Sequence, residues 1–177
     1  DPEIFTNYTV NVGLPKSYIF AEVIGLDDEL LMTIPPPVLS VIVNLQRGET
    51  KTVIDENKRV KYDEVPFYMH QSGELDNACG LIAALHSIGN NLNVVGLDGN
   101  SILGKFFDQA KEKEPRDKAT LLENMNDFKQ AHMEYSSQGQ SKLCEKQEEV
   151  TNHFVAFVYN KERVLELDGT VGSPILI

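Results

Sequence analysis

Three residues of this sequence, a cysteine, a histidine and an aspartate, have side chains that together can perform nucleophilic catalysis. Cys79 precedes His153 by 74 residues, and Asp168 lies 15 residues beyond His153. A thiol becomes an effective nucleophile when an imidazole takes its proton, and a carboxylate beside the imidazole sets the tautomer and orientation of the ring. Groups so far apart along the chain can meet only in the folded protein. The hypothesis therefore depends on the elements that position each group.

Cys79 lies in the first turn of a predicted helix. Apolar residues recur at helical spacing directly after it, at Leu81, Ile82, Leu85 and Ile88. A thiol here lies near the positive end of the helix macrodipole, and with a nearby imidazolium its pKa can fall to ~3.5–7.5. Asp76 or Asn77 can cap this helix, and Gly80 leaves room for a substrate to approach. The alternative is that Cys79 is a small buried hydrophobic residue, as most intracellular cysteines are.

His153 and Asp168 are predicted to lie on the two strands of one hairpin, in the stretch NHFVAFVYNKERVLELDG (152–169). If Asn160-Lys161 forms a two-residue turn, His153 lies directly opposite Asp168, with Cβ atoms ~4.5–5.5 Å apart on one face. A three-residue loop would shift the pairing by one residue. An imidazole beside a carboxylate favours proton transfer. The alternative is that the two residues begin and end their strands by coincidence.

The rest of the chain mixes helices and strands without regular alternation. Further strands are predicted for VLSVIVNLQ (38–46), whose apolar run favours a central strand buried on both faces, and for EVPFYM (64–69), where Pro66 argues against a central position. The charged connection between them includes a candidate short strand, KTVI (51–54). This mixture predicts an α+β protein rather than a doubly wound α/β sheet.

The other predicted helices follow from caps and apolar stripes. They are DELLMTI (28–34), which follows Gly25-Leu26-Asp27 and is ended by Pro35-Pro36-Pro37; SILGKFFDQAKE (101–112); and a helix that Pro115 opens, with Leu121, Leu122, Met125 and Phe128 as its buried face.

Composition excludes several classes of function. The chain has 177 residues, 41% of them hydrophobic, which suits one globular domain spanning 1–177. It has no ~20-residue apolar run for a membrane span and no signal-peptide pattern. The cysteines, Cys79 and Cys144, lack the spacing of a disulfide framework or a metal site, so we expect no metal or cofactor and a reduced compartment, the cytoplasm and also the nucleus. A net charge of −11 argues against nucleic acid or an anionic membrane as partner; it serves either solubility or a basic partner.

Several stretches taken together resemble the ubiquitin C-terminal hydrolase family of papain-like cysteine peptidases. They are FAEVIGLDDELL, PPPVLSVIV, QSGELDNACGLIAALHSIGNN, NHFVAFVY and LELDG, which run in the family's order from about Asp1 to Gly169. The resemblance implies a central, mostly antiparallel sheet flanked by helices, with the knotted topology of that family. It also implies that relatives continue beyond Ile177 with a further helix and a strand completing the sheet. We therefore expect missing sequence, a partner or another chain to supply that strand.

The resemblance implies a role for each site residue. Cys79 matches the nucleophile of the family's N-A-C-G motif, His153 the general base and Asp168 the residue that orients it. Gln71 best matches the glutamine whose amide donates to the oxyanion, although it lies eight residues before the cysteine instead of six. The position six before is Gly73, so two extra residues within Ser72 to Asp76 must bulge out if Gln71 is to reach the site.

The polar stretch 135–151 corresponds to the loop that crosses over the active site in this family and restricts access to small or unfolded adducts. Its residues Ser136, Ser137, Gln138, Gly139, Gln140 and Ser141 are candidate substrate-binding residues. We expect Cys144 in this loop to be an exposed thiol and not a second nucleophile. His132 and His86 are expected to be packing or surface groups on helices, and His70 has no assigned role.

The predicted function is a deubiquitinating thiol hydrolase that cleaves after the C-terminal glycine of ubiquitin through an acyl-enzyme. The acidic surplus would favour the basic tail of ubiquitin. Three alternatives stay open: a ubiquitin-binding module with impaired catalysis, a hydrolase for another ubiquitin-like modifier, and a structural protein with an incidental cysteine.

Overall fold

The computed structural model describes residues 1–46, 54–71, 78–136 and 152–177. Within these ranges the helices are α1 (Pro2–Val12), α2 (Asp28–Leu31), α3 (Cys79–Gly89), α4 (Leu92–Val95), α5 (Ile102–Ala110), α6 (Pro115–Asn124) and α7 (Asn126–Ser136). The strands are β1 (Ser40–Gln46), β2 (Asn152–Asn160), β3 (Arg163–Leu167) and β4 (Ile175–Leu176), which form one antiparallel sheet in the order β1-β2-β3-β4. The prediction of an α+β fold with an antiparallel sheet is confirmed. None of these helices has the length and apolar character needed to cross a membrane.

Helix α3 lies between the sheet and the other helices. Every residue from Leu81 to Gly89 is buried, which confirms the predicted helix and its apolar positions. One face packs against β2 and β1, where Ala83 joins a core that includes Leu167. The opposite face, with Leu85, joins a second core that includes Phe106. Because burial of a leucine side chain contributes ~1.5–3 kcal/mol, this helix is among the best-anchored elements of the fold.

Strand β1 lies at an edge of the described sheet, so the prediction of a central strand buried on both faces is wrong. Among the described residues only β2 pairs with it, from Ser40↔Val158 to Gln46↔Asn152. Val41 and Leu45 are 42% and 39% exposed. A continuous apolar run shows that a segment favours burial, but it carries no information on how many strands lie beside it.

The hairpin turn between β2 and β3 is Lys161-Glu162, one residue later than predicted. Both residues have positive φ, 50° and 62°, as a type I′ turn requires. Ala156 pairs with Leu167, so continuing this register places His153 diagonal to Asp168 and not directly opposite, which corrects the prediction. Moving the turn by one residue shifts the register by two, and side chains alternate with a period of two. The two residues therefore still share a face.

The segment 65–71 lies in neither a helix nor a strand, contrary to the prediction for EVPFYM, and Val65, Phe67, Tyr68 and Met69 are buried. Helix α3 supplies its hydrogen bonds: Asn90 Nδ2, just beyond α3, donates to the Phe67 carbonyl at 2.7 Å, and the Met69 N–H donates to His86 Nε2 at 3.1 Å. The His70 N–H donates to the Pro115 carbonyl at 3.0 Å. The prediction of a strand is therefore wrong, because the backbone of this segment bonds to side chains and to the start of a helix instead of to a neighbouring strand.

The remaining elements differ from prediction mainly in their ends. The helix opened by Pro115 is two helices, because Met125 has an extended conformation with ψ 101°. Helix α5 begins after Ser101, whose side chain accepts from the Gly104 N–H, and confirms the predicted helix. Helix α2 ends earlier than predicted, and α1 was not predicted at all, although Asp1 caps it and Pro2 opens it. Of KTVI, residues 51–53 lie outside the described residues.

Candidate active site

Cys79 is the first residue of α3, as predicted. The first N–H groups of a helix have no partner within it, so the thiol lies beside backbone donors. The N-cap position is Ala78, and no side chain caps the helix there. Asp76 and Asn77, the predicted capping residues, lie outside the described residues. Cys79 is partly exposed and carries a free thiol, which a nucleophile requires.

The surroundings of Cys79 lower the pKa of its thiol. Burial acts in the opposite direction and is the largest single influence. It is outweighed by a hydrogen bond between Sγ and the His153 ring, by the charge of that ring, and by the N–H groups of Phe154 and Gly80. All of these favour the thiolate, which is the reactive form of cysteine.

His153 and Asp168 are in direct contact, with His153 Nε2 2.8 Å from Asp168 Oδ1. Both are buried, at 6% and 5% exposure, so water does not compete for this bond. Because Nε2 faces the carboxylate, Nδ1 is the ring nitrogen left for Cys79. The structure thus brings together the three residues that the sequence singled out, in the order sulfur, imidazole, carboxylate.

Asp168 is held as a carboxylate by three donors on one oxygen. Besides His153, the N–H and the hydroxyl of Thr170 each donate to Oδ1 at 2.8 Å. Burial raises the pKa of Asp168, but these hydrogen bonds and the imidazole charge lower it further than burial raises it. Thr170 was not found by sequence reasoning. The available signal was its position two residues after an aspartate, from which its N–H and its hydroxyl can both donate to the aspartate side chain.

Gln71 lies beside the turn that follows Asp168. Its N–H donates to the Gly169 carbonyl at 2.8 Å, and a Cβ added at Gly169 would come within 2.9 Å of the Gln71 nitrogen, so the two backbones are in close contact. The Gln71 Oε1 atom is buried and has no hydrogen-bond partner among the described residues. Residues 72–77, which include Gly73 and the stretch expected to hold the two extra residues, lie outside the described residues.

An aromatic cluster that sequence reasoning missed covers the start of α3. The ring of Phe5, from α1, lies 5.6 Å from that of Phe154 and 5.5 Å from that of Phe20. A Cβ added at Gly80 would lie 3.0 Å from Phe5. The space beside Gly80 that was predicted for a substrate is therefore filled by the Phe5 ring in this structure.

The remaining candidates divide into described and undescribed residues. His86 is fully buried in α3, so it is a packing residue and not a surface group. Residues 137–141 and Cys144 lie outside the described residues, as does most of the predicted crossing loop; Ser136 ends α7, and His132 lies within it. Glu166, which was not predicted, has a raised pKa because it is partly buried and near Asp168. The described residues include no group of three side chains able to hold a metal ion.

Comparison with known proteins places this chain among ubiquitin hydrolases. A family model described as ubiquitin carboxyl-terminal hydrolase, family 1, matches residues 1–177. A ubiquitin carboxyl-terminal hydrolase of Drosophila melanogaster is 32% identical over 182 residues, covering 99% of this chain and 78% of the relative. One from Aplysia californica is 29% identical, covering 99% and 82%. Isozyme L1 of Homo sapiens is 26% identical, covering 99% and 78%.

The fold agrees with a solved structure. The catalytic domain of Trichinella spiralis UCH37, determined bound to ubiquitin vinyl methyl ester, superposes with a TM-score of 0.72 at 20% identity, covering 99% of this chain and 75% of that one. At this identity the likeness concerns the fold. Because the family model spans every residue from 1 to 177, this chain belongs to ubiquitin carboxyl-terminal hydrolase family 1.

Proposed function

We propose that this protein is a cysteine-type deubiquitinating hydrolase, a single catalytic domain that cleaves the bond after the C-terminal glycine of ubiquitin. The observation that carries the proposal is the chain of hydrogen bonds from Cys79 to His153 to Asp168. This chain lowers the pKa of the Cys79 thiol. Family membership supports ubiquitin as the substrate. The net charge of −11 supports it as well, since an acidic protein attracts a basic tail.

The geometry supports a two-step reaction. The Cys79 thiolate attacks the carbonyl carbon of the terminal glycine, and His153 Nδ1 gives its proton to the leaving amine or thiol as the carbon–leaving-group bond breaks. A water molecule then attacks the thioester, passing a proton to His153, and the carbon–sulfur bond breaks to release the ubiquitin carboxylate. Asp168 holds the ring on Nε2 and stabilises its positive form throughout.

Two donors are proposed for the oxyanion that forms in each step. The Cys79 N–H is available because the first helical residue has no partner within the helix. The side-chain amide of Gln71 is the second, in keeping with its position beside the Asp168 turn. Residues 136–141 are proposed to contact the substrate as part of a crossing loop that restricts the size of the adduct. A thiolate nucleophile suits the cytoplasm, where cysteines stay reduced.

The test is hydrolysis of a fluorogenic amide at the ubiquitin C-terminus. Cys79→Ala should abolish turnover, and ubiquitin binding should survive because affinity comes from a wide surface. Cys144→Ala is the matched control, since it removes the only other thiol, and it should retain turnover and single-site labelling by a ubiquitin C-terminal electrophile. Turnover that persists in Cys79→Ala, or labelling that moves to Cys144, would show that the nucleophile has been assigned wrongly.

A further inference from the structure

Asp168 belongs to a turn whose own backbone must be held if the carboxylate is to meet His153. The turn runs from Asp168 to Val171, where the Val171 N–H donates to the Asp168 carbonyl at 3.1 Å. Thr170 binds the carboxylate from within the same turn. These contacts make the turn compact. They do not tie it to the rest of the molecule, so its position depends on contacts from outside.

Tyr68 supplies such a contact from the segment 65–71. Its hydroxyl lies 2.8 Å from the Asp168 carbonyl and 3.0 Å from the Val171 carbonyl, one at each end of the turn. Tyr68 has no exposed surface, and burial raises the pKa of its hydroxyl, which therefore stays protonated as a donor. A buried hydroxyl with two carbonyl oxygens in reach is a strong constraint, because no water replaces it when it moves.

The tyrosine is itself held by the helix that carries Cys79. The ring of His86, seven residues along α3 from Cys79, stacks on the Tyr68 ring with centroids 5.3 Å apart and planes 5° apart. His86 Nε2 also accepts the N–H of Met69. Lys118 Nζ donates to the Tyr68 carbonyl at 3.1 Å. Tyr68 thus links the helix of the thiol to the turn of the carboxylate.

We propose that Tyr68 is a positioning residue for the hydrolase reaction: its hydroxyl sets the place of the Asp168 turn relative to α3, and through it the alignment of His153 with Cys79. This inference rests on the proposed function and adds to it a residue that touches neither substrate nor sulfur. When the hydroxyl is absent, the turn has more freedom, so Asp168 holds the His153 ring less firmly in line with Sγ, and the imidazolium stabilises the thiolate less well. The thiolate–imidazolium pair then forms at higher pH.

The test is Tyr68→Phe, which removes one oxygen and keeps the ring stacked on His86. On a ubiquitin C-terminal amide we expect kcat to fall about three- to tenfold with KM within about twofold. We also expect the acidic limb of the pH–rate profile to move to higher pH by about half a unit. Tyr18→Phe is the matched control, because the Tyr18 hydroxyl also donates to a backbone carbonyl, that of Val94, at 2.8 Å. Val94 lies beyond the end of α3 that is opposite to Cys79.

A positioning role and a structural role predict different results. If Tyr68 had only a structural role, Tyr68→Phe would behave like Tyr18→Phe. The unfolding temperature would fall, and kcat and the acidic limb would stay unchanged well below that temperature. Equal kcat and an unmoved acidic limb in Tyr68→Phe would overturn the inference while the wild-type enzyme remains active. If the wild-type protein itself neither hydrolyses the amide nor reacts with a ubiquitin electrophile, the proposed function fails instead.

Discussion

Acidification should destabilise this protein through one histidine that lies outside the proposed reaction. His86 is fully buried, and burial lowers the pKa of its ring to about 4. The Met69 carbonyl and the Asp168 charge act in the opposite direction, because they favour the protonated ring. In the unfolded chain the same ring titrates near 6.5. Between these values the unfolded state binds a proton that the folded state does not. The free energy of unfolding must therefore decrease as the pH falls from 6.5 towards 4.

The size of the effect follows from the difference between the two pKa values. A difference of about 2.5 units corresponds to about 3 kcal/mol once both states are protonated, at 1.36 kcal/mol per unit. By pH 5 roughly 2 kcal/mol should already be lost relative to pH 7. A domain of this kind is stable by only ~5–15 kcal/mol, so the loss is a substantial fraction of the total.

The assay is denaturant unfolding of wild type and His86→Gln at pH 7, 6 and 5. Glutamine has a carbonyl oxygen that can accept the Met69 N–H, and it does not titrate. Other titrating groups cancel in the difference between the two proteins, so that difference should shrink by about 2 kcal/mol from pH 7 to pH 5. A difference that stays constant within about 0.5 kcal/mol would refute the assignment of a neutral, buried His86.

Two further substitutions test a hydrogen bond of the Asp168 carboxylate and the packing at the end of α3 opposite to Cys79. Thr170→Val removes a hydroxyl that donates to Asp168 Oδ1 at 2.8 Å, so the pKa of that carboxyl should rise. We expect kcat/KM to fall about three- to tenfold, which a pH–rate profile measures. An unchanged profile would contradict this role of Thr170. Gly89→Ala places a Cβ 2.6 Å from Phe67 Cγ and should lower the free energy of unfolding by about 1–3 kcal/mol in denaturant. Gly99→Ala, with nothing within 4 Å of its Cβ, is the control, and equal losses at both glycines would show that packing is not the cause.

The Cys79 helix and the β2–β3 hairpin could be predicted from the sequence because each depends on local periodicity. Leu81, Ile82, Leu85 and Ile88 repeat at helical spacing, and all four are buried. The shared face of His153 and Asp168 was predicted correctly although the turn was misplaced by one residue. Alternation in a strand has a period of two, so this particular error did not exchange the faces.

The parts that could not be predicted depend on neighbours distant in the chain. Nothing in the sequence VLSVIVNLQ shows that β1 has one neighbouring strand in the described sheet instead of two. Nothing in EVPFYM shows that its backbone would bond to Asn90 and His86. Phe5 packs against Phe154 across the start of α3, although the two residues are far apart in sequence and share no motif.

The sequence by itself determined the types of the groups proposed to react, their order and the local elements that carry Cys79 and His153, since these follow from side-chain chemistry and short-range periodicity. Only the tertiary structure decided that His153 Nε2 meets Asp168 at 2.8 Å, that the Tyr68 hydroxyl reaches the Asp168 turn, and that the His86 ring stacks on Tyr68. The physical reason is range: hydrogen bonds act over about 3 Å, whereas the residues they join are separated by up to a hundred positions along the chain.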